Sequence, residues 1–169
     1  MHRRNWLSGE EQKLYDGIGR EFLELISTTS MTKVYKMPVL YAFLGDGEMR
    51  TEVTEEQVLA CWKEFFGRGG NWKDLVSGKG DRNAGDRGLY EQYLAITDRE
   101  HLQNIRRNPV HFLIQSGKGF FVPKDGYLLA VRDDLREVFG TEALRQQYQD
   151  ILDYRTMDYF RRRYVAERG

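Results

Sequence analysis

The sequence predicts an α+β fold that is mostly helical, with a winged-helix-like core, a small β-hairpin or sheet, and a long C-terminal helix. Three observations lead to it. Apolar residues recur at helical spacing through most of the chain, from Leu14, Ile18 and Phe22 to Leu144, Tyr148 and Leu152. Capping boxes of the form S/T-x-x-E/Q open three of those stretches, at Ser8–Glu11, Thr54–Gln57 and Thr97–Glu100. The β-rich, turn-punctuated residues lie mainly between Pro109 and Val131, which gives the order helix, short strand, helix, hairpin.

At 169 residues the chain reads as a single domain. Residues 1–27 form an N-terminal helix, 28–132 the winged-helix-like core with a Gly-rich insertion at 67–88, and 133–169 the C-terminal helices. A chain of this length buries roughly 70% of its unfolded surface. Hydrophobic residues at 40% and aromatics at 13% support a real core, while 31% charged residues describe its surface. The 26 Lys and Arg balance 26 Asp and Glu. That balance argues against tight autonomous DNA binding and leaves room for a local basic face. Cys61 is the only cysteine, which excludes an internal disulfide and a thiolate metal cluster, and its place in a helical apolar pattern reads as an inert thiol. With no secretory core and no run near the ~18 apolar residues of a membrane span, the expected location is cytoplasmic.

The first helix runs from Ser8 to about Ser27. Thr28, Thr29, Ser30 and Thr32 can each cap the next one, which starts near Tyr35 so that Pro38 falls in its first turn. Val34, Met37, Leu40, Tyr41 and Leu44 make its buried stripe and leave Lys33 and Lys36 together on the exposed side. After a turn at Gly45–Gly47, Met49–Val53 is a short strand, and Thr54 opens a helix to Phe66 with Val58, Trp62, Phe65 and Phe66 inward. Gly67–Gly88 is a glycine-rich loop carrying both charge signs, read either as a solvated insertion or as a backbone-clasping loop, with Trp72 and Leu75 pinning its near end. Leu89–Ile96 and Leu102–Arg106 are helical, the second ended by Pro109. Val110–Ile114 and Phe120–Val122 then form a hairpin with Lys118 in its turn, and Tyr127–Val131 adds a strand after a turn that carries Lys124. A short helix stops at Gly140, and Thr141 caps a last helix to about Ala166.

No catalytic constellation emerges. The three histidines, His2, His101 and His111, have no metal-ligand spacing, Gly117-Lys118-Gly119 is too short for a phosphate-binding P-loop, and no nucleophile elbow is present. No cofactor, metal or catalytic residue is expected.

The run Thr29–Phe43, T-S-M-T-K-V-Y-K-M-P-V-L-Y-A-F, resembles a signature downstream of the DEAD/DEAH-type helicase core of bacterial restriction and phage-defence proteins, some of which also carry a phospholipase-D-like nuclease. Arg107–Leu113 with Phe120-Phe121, and Asp153–Tyr164, resemble the same region. The chain itself carries no Walker A, DEAD or DEAH box and no nuclease H-x-K, so the resemblance implies an accessory module beside a helicase or nuclease partner rather than a motor or a cutter. It carries Lys33, Tyr35 and Lys36 over as contacts, while Arg107 and Arg155 match without a role. The expected function is weak, salt-sensitive DNA binding through phosphates in an antiviral helicase or restriction assembly. The expected surface comprises Lys33, Tyr35, Lys36, Arg68, Asn71, Lys73, Lys79, Arg107, Lys118 and Lys124. Two alternatives stay open: a protein-interaction module docking through the aromatic and Arg-rich last helix, and a small winged-helix transcription regulator.

Overall fold

The computed structural model describes residues 12, 15–45, 48–76 and 86–162. It is mostly helical, with one small three-stranded antiparallel sheet among the described residues. A π-helical turn, Tyr15–Gly19, leads into helix α1 (Arg20–Thr28), and α2 (Lys36–Tyr41) follows. Strand β1 is Glu52–Val53, preceded by a bridge between Leu44 and Met49. Helices α3 (Glu55–Phe66), α4 (Lys73–Val76), α5 (Asp86–Leu94) and α6 (Asp98–Ile105) come next. A second π-helical turn, Arg106–Val110, carries α6 directly into α7 (His111–Ser116). Strands β2 (Phe121–Val122) and β3 (Leu129–Val131) form a hairpin, and β3 also pairs with β1 in the order β1-β3-β2. A 3-10 turn, α8 (Arg136–Phe139) and the long α9 (Glu142–Phe160) are the last elements among the described residues.

The helix starts follow their hydroxyls. Thr54 Oγ1 accepts the Gln57 N–H at 3.1 Å while Gln57 Oε1 accepts the Thr54 N–H at 3.0 Å, a reciprocal box that Thr97 and Glu100 repeat. Thr141 Oγ1 accepts from the Leu144 N–H at 3.3 Å and so caps α9. The Ser8–Glu11 box and the last helix beyond residue 162 lie outside the described residues.

Two aromatic groups fill the core. The fully buried Phe22 ring of α1 has the rings of Phe120, Phe121, Phe139 and Tyr148 around it, with centroids 5.2–5.9 Å away. Around α3, Trp62 packs on Phe66 at 4.8 Å and on Tyr35 at 5.6 Å, and its indole N–H donates to His101 Nδ1 at 3.0 Å. Burial lowers the pKa of His101, which favours the neutral ring that accepts this bond.

Several expectations are corrected here. The 28–29 segment closes α1, and no side chain caps α2: Thr28 Oγ1 donates to Glu24 O at 2.8 Å, and the backbone N–H of Thr29 donates to Leu25 O at 2.7 Å. Helix α2 is buried all round, from Lys36 to Leu40, so Lys36 does not stand on an exposed face beside Lys33. The reason is local: Lys36 Nζ donates to Thr29 Oγ1 at 2.9 Å and to Ser30 O at 2.7 Å, which gives its charge a polar cage at the end of α1. Pro109 does not end the helix, so residues 110–114 are helical and Lys118 follows a helix rather than a strand. The true hairpin joins β2 to β3 through residues 123–128, with Gly126 at φ +84°. Within the 67–88 insertion, α4 and the start of α5 are regular, and residues 77–85 lie outside the description.

Asp74, fully buried in α4, ties three segments together. Its carboxylate accepts the Val34 N–H at 2.9 Å and the Tyr159 hydroxyl at 2.7 Å, while its carbonyl accepts from the Tyr35 hydroxyl at 3.3 Å. Removing a buried acceptor strands its donors, at a cost of about 1–3 kcal/mol for each group left unpaired. Asp74→Ala is therefore expected to lose about 3 kcal/mol of stability, and Tyr159→Phe about 1 kcal/mol. Urea unfolding followed by circular dichroism measures both, and a loss below about 0.5 kcal/mol in Asp74→Ala would remove Asp74 from this role.

Candidate nucleic-acid interface

The continuous helix α6–π–α7 is built on a spacing of four. His101, Ile105, Pro109, Leu113 and Gly117, each four residues from the last, are all buried. Arg99, Gln103, Arg107, His111 and Gln115, offset by two, are all exposed. An ordinary helix repeats every 3.6 residues and would let both stripes drift around its axis. The wide turn at Arg106–Val110 lengthens the average repeat toward four and keeps each stripe on its side. The same turn accommodates Pro109, whose ring would meet the carbonyl of Ile105 in a regular helix and whose nitrogen has no proton to donate.

The exposed stripe carries two arginines, two glutamines and a histidine, and no acid. These side chains donate to phosphates, and Arg and Gln also match the purine edges exposed in a major groove. From Asp98 to Ser116 the helix spans about 28 Å, enough to follow a groove. Of the neighbouring cations, Arg106 is already paired with Glu55. Arg99, Arg107 and Lys118 have no ion pair among the described residues.

Lys118 stands where the helix meets the hairpin. A Cβ at Gly117 would lie 2.1 Å from the carbonyl oxygen of Leu113, so only glycine fits there. Lys118 follows at φ +54°, an uncommon conformation for a residue with a side chain, and Gly119 at φ +81° completes the reversal. The turn leaves the Lys118 ammonium exposed beyond the end of the stripe. Arg132 lies over the Phe120 ring at 4.7 Å and pairs with Asp134 at 2.8 Å.

At the hairpin, Glu52 gathers the charges. Its carboxylate accepts from Lys124 at 2.6 Å, from Arg136 at 2.8 Å and from Thr51 Oγ1 at 2.7 Å. Lys124 also sits 5.3 Å from the centre of the Tyr127 ring. The hydrogen bond from Lys124, with help from Thr51 and Arg136, holds the Glu52 carboxyl down to about 2.

The residues expected from the sequence fall in three places. Arg107, Lys118 and Lys124 share the helix–hairpin unit and are exposed. Lys33 is half-buried in the link before α2, Lys36 is buried, and Tyr35 is buried against Trp62 and Phe66, so this trio does not form an open cationic face. Burial, and then the charge of Arg155, lowers the pKa of Lys36. In the insertion, Arg68 pairs with Glu64, the Asn71 side chain donates to Phe65 O at 3.0 Å, and Lys73 lies 5.9 Å from the Trp72 ring. Lys79 lies outside the described residues. Arg99, Gln103, His111 and Gln115 are absent from the expected set, which ends the helix at Pro109. The repeat of four across that proline was the signal that could have found them.

Cys61 is half-buried, and burial followed by the charge of Glu64 pushes its thiol up to about 11, in line with an inert side chain. Among the described residues no group of three or more His, Cys, Asp and Glu converges on a common point, and no helix is long and apolar enough to cross a membrane. No family model matches the chain, and no curated protein and no solved structure is significantly similar to it.

The low pKa of Glu52 has a consequence in acid. Its folded carboxyl titrates near 2 against an ordinary 4.5, so its stabilisation is complete above about pH 4.5 and is lost as pH falls toward 2. The urea midpoint of the wild type is expected to drop more between pH 5 and 2.5 than that of Glu52→Gln, which has no carboxyl to titrate. Parallel curves would remove Glu52 from that linkage.

Proposed function

We propose that the chain is a non-catalytic, winged-helix-like DNA-binding module that works in the cytoplasm within a helicase- or restriction-type defence assembly. It meets DNA through the helix–hairpin unit from Asp98 to Val131. The observation that carries this reading is the acid-free exposed stripe Arg99, Gln103, Arg107, His111 and Gln115, with Lys118 beyond it. The order of elements supports it: α2, β1, α3, the α6–α7 helix and the β2–β3 hairpin come in the order of a winged helix, with α4 and α5 inserted between α3 and α6 and with β3 between β1 and β2. The long helix before the hairpin would enter the groove, and the hairpin would lie against the backbone. The resemblance of Thr29–Phe43 to the helicase-associated signature supports the choice of partner, a helicase or nuclease subunit or domain.

A second reading has one observation in its favour. Tyr154 and Met157, three residues apart on α9, are each 61% exposed, and exposed large apolar side chains on one helix suit a protein contact. In that case the partner docks on α9 and DNA is not bound.

Fluorescence anisotropy of labelled duplex and single-stranded DNA decides between them. With Arg99, Arg107 and Lys118 each meeting a phosphate, log affinity is expected to fall against log salt with a slope of roughly −3 on duplex DNA. Arg107→Ala is expected to weaken binding about five- to tenfold and to reduce that slope by about one. Arg68→Ala is expected to leave binding unchanged. Absence of binding at low salt, with the fold intact by circular dichroism, would overturn the DNA reading and send the search to partners of the α9 face.

A further inference from the structure

A cleft of about 620 Å³ opens between α3 and α9, on residues that the DNA reading does not use. Its volume lies in the range that takes a small organic ligand. Tyr41, half-buried, supplies aromatic surface, and the buried Phe65 ring backs it from 6.2 Å at a tilt of 39°. The Tyr41 hydroxyl donates to Asp153 Oδ1 at 2.6 Å, which fixes the ring and occupies that carboxylate. The other carboxylate of the cleft, Glu64, is paired with Arg68 at the exposed rim. Gln149 adds an amide that can donate and accept at once, and Gln57, whose Oε1 accepts the Thr54 N–H at 3.0 Å, adds its NH2 as a donor.

Arg50 supplies the charge. Its guanidinium is half-buried, donates one N–H to Ala42 O at 2.8 Å, and pairs with no carboxylate among the described residues. Arg50 and Arg68 both act to lower the Cys61 pKa from within the same cleft, against the larger effect of burial. A cation held partly out of water with an open side toward a cavity is a site for an anion.

We propose that this cleft binds a nucleoside monophosphate, with the heterocycle against Tyr41 and Phe65, its amide-like edge on Gln57 and Gln149, and its phosphate on Arg50. Flat aromatic surface, paired amides and an arginine without a counter-charge match the three parts of that ligand. The nucleotide is either free in solution or the phosphorylated end of a strand, since both present the same chemistry.

Isothermal titration of the full chain with adenosine, guanosine, cytidine and thymidine 5′-monophosphates, alongside thermal unfolding, tests the site. At least one is expected to bind with Kd on the order of 10–100 µM, as its size allows, and to raise Tm at millimolar concentration. Gln149→Leu and Arg50→Lys, each checked for folding by circular dichroism, are expected to weaken it at least fivefold. An oligonucleotide with a 5′-phosphate that competes identifies a strand end as the source, and one that does not compete identifies the free nucleotide. The assignment is overturned if none of the four binds at 5 mM, if inorganic phosphate binds equally well, or if both variants bind like the wild type. Duplex binding by Arg107→Ala reports on the helix–hairpin unit separately, so failure of one reading does not decide the other.

Discussion

Burying α2 from Lys36 to Leu40 is the constraint on which the rest of the structure depends. From Lys36 to Leu40 every side chain is inside, so each polar group around that short helix needs a partner that water cannot supply. The partners come from far along the chain. Lys36 closes the C-terminal end of α1, Asp74 accepts the N–H of Val34 just ahead of the helix, and the Tyr148 hydroxyl of α9 donates to the Leu40 carbonyl. Arg155, also from α9, donates to Ile26 O at 3.0 Å, so two cations sit where the dipole of α1 is negative. These contacts explain why Lys36, Tyr35, Arg155 and Tyr159 belong to the frame: each spends its polar atoms holding α1, α2, α4 and α9 together.

Once that frame is set, the surface helix is free to serve something else. Its inner stripe, from His101 to Gly117, only has to pack, and the imidazole of His101 is satisfied by the Trp62 indole. The π-helical turn then acts as a phase correction. Without it the inner stripe would rotate out of the core within two or three turns, and Arg107 and Gln115 would no longer face the same side. Wide turns of this kind occur often at functional sites, and here the turn has a definite consequence, a straight row of donors as long as the helix.

Much of this was legible in the sequence, and the failures have physical causes. Thr54, Thr97 and Thr141 announce their helices because capping is a local interaction, complete within three residues. Trp62, Phe66, Leu144, Tyr148 and Leu152 sit where their spacing put them, because period and burial are linked in any helix with one wet face. Lys36 departs from the sequence expectation because a lysine is normally solvated, and only contacts with Thr29 and Ser30 in three dimensions make its burial tolerable. Residues 110–114 read as a strand because they are β-branched and aromatic and follow a proline, and tertiary packing of the spacing-four stripe overrode that preference. Of the candidate site, Arg107, Lys118 and Lys124 were legible as cations, whereas their union with Arg99 and Gln115 required a helix that runs through Pro109.

The distribution of charge also limits what the surface can do alone. Most cations near the hairpin are already engaged: Lys124 and Arg136 by Glu52, Arg132 by Asp134, and Arg106 by Glu55. A phosphate must displace those carboxylates to reach them, and the exchange of one anion for another returns little free energy in water. That leaves Arg99, Arg107 and Lys118, a cationic set smaller than tight non-specific binders use. A surface so constituted gains most when something else holds it near DNA. On the proposed reading, attachment to a helicase would raise its effective concentration on the strand without adding a contact, and weak binding by the module alone would let it release as the motor advances. Neutral net charge and a small open basic stripe thus fit the proposed module better if it is carried to its substrate than if it must find it unaided.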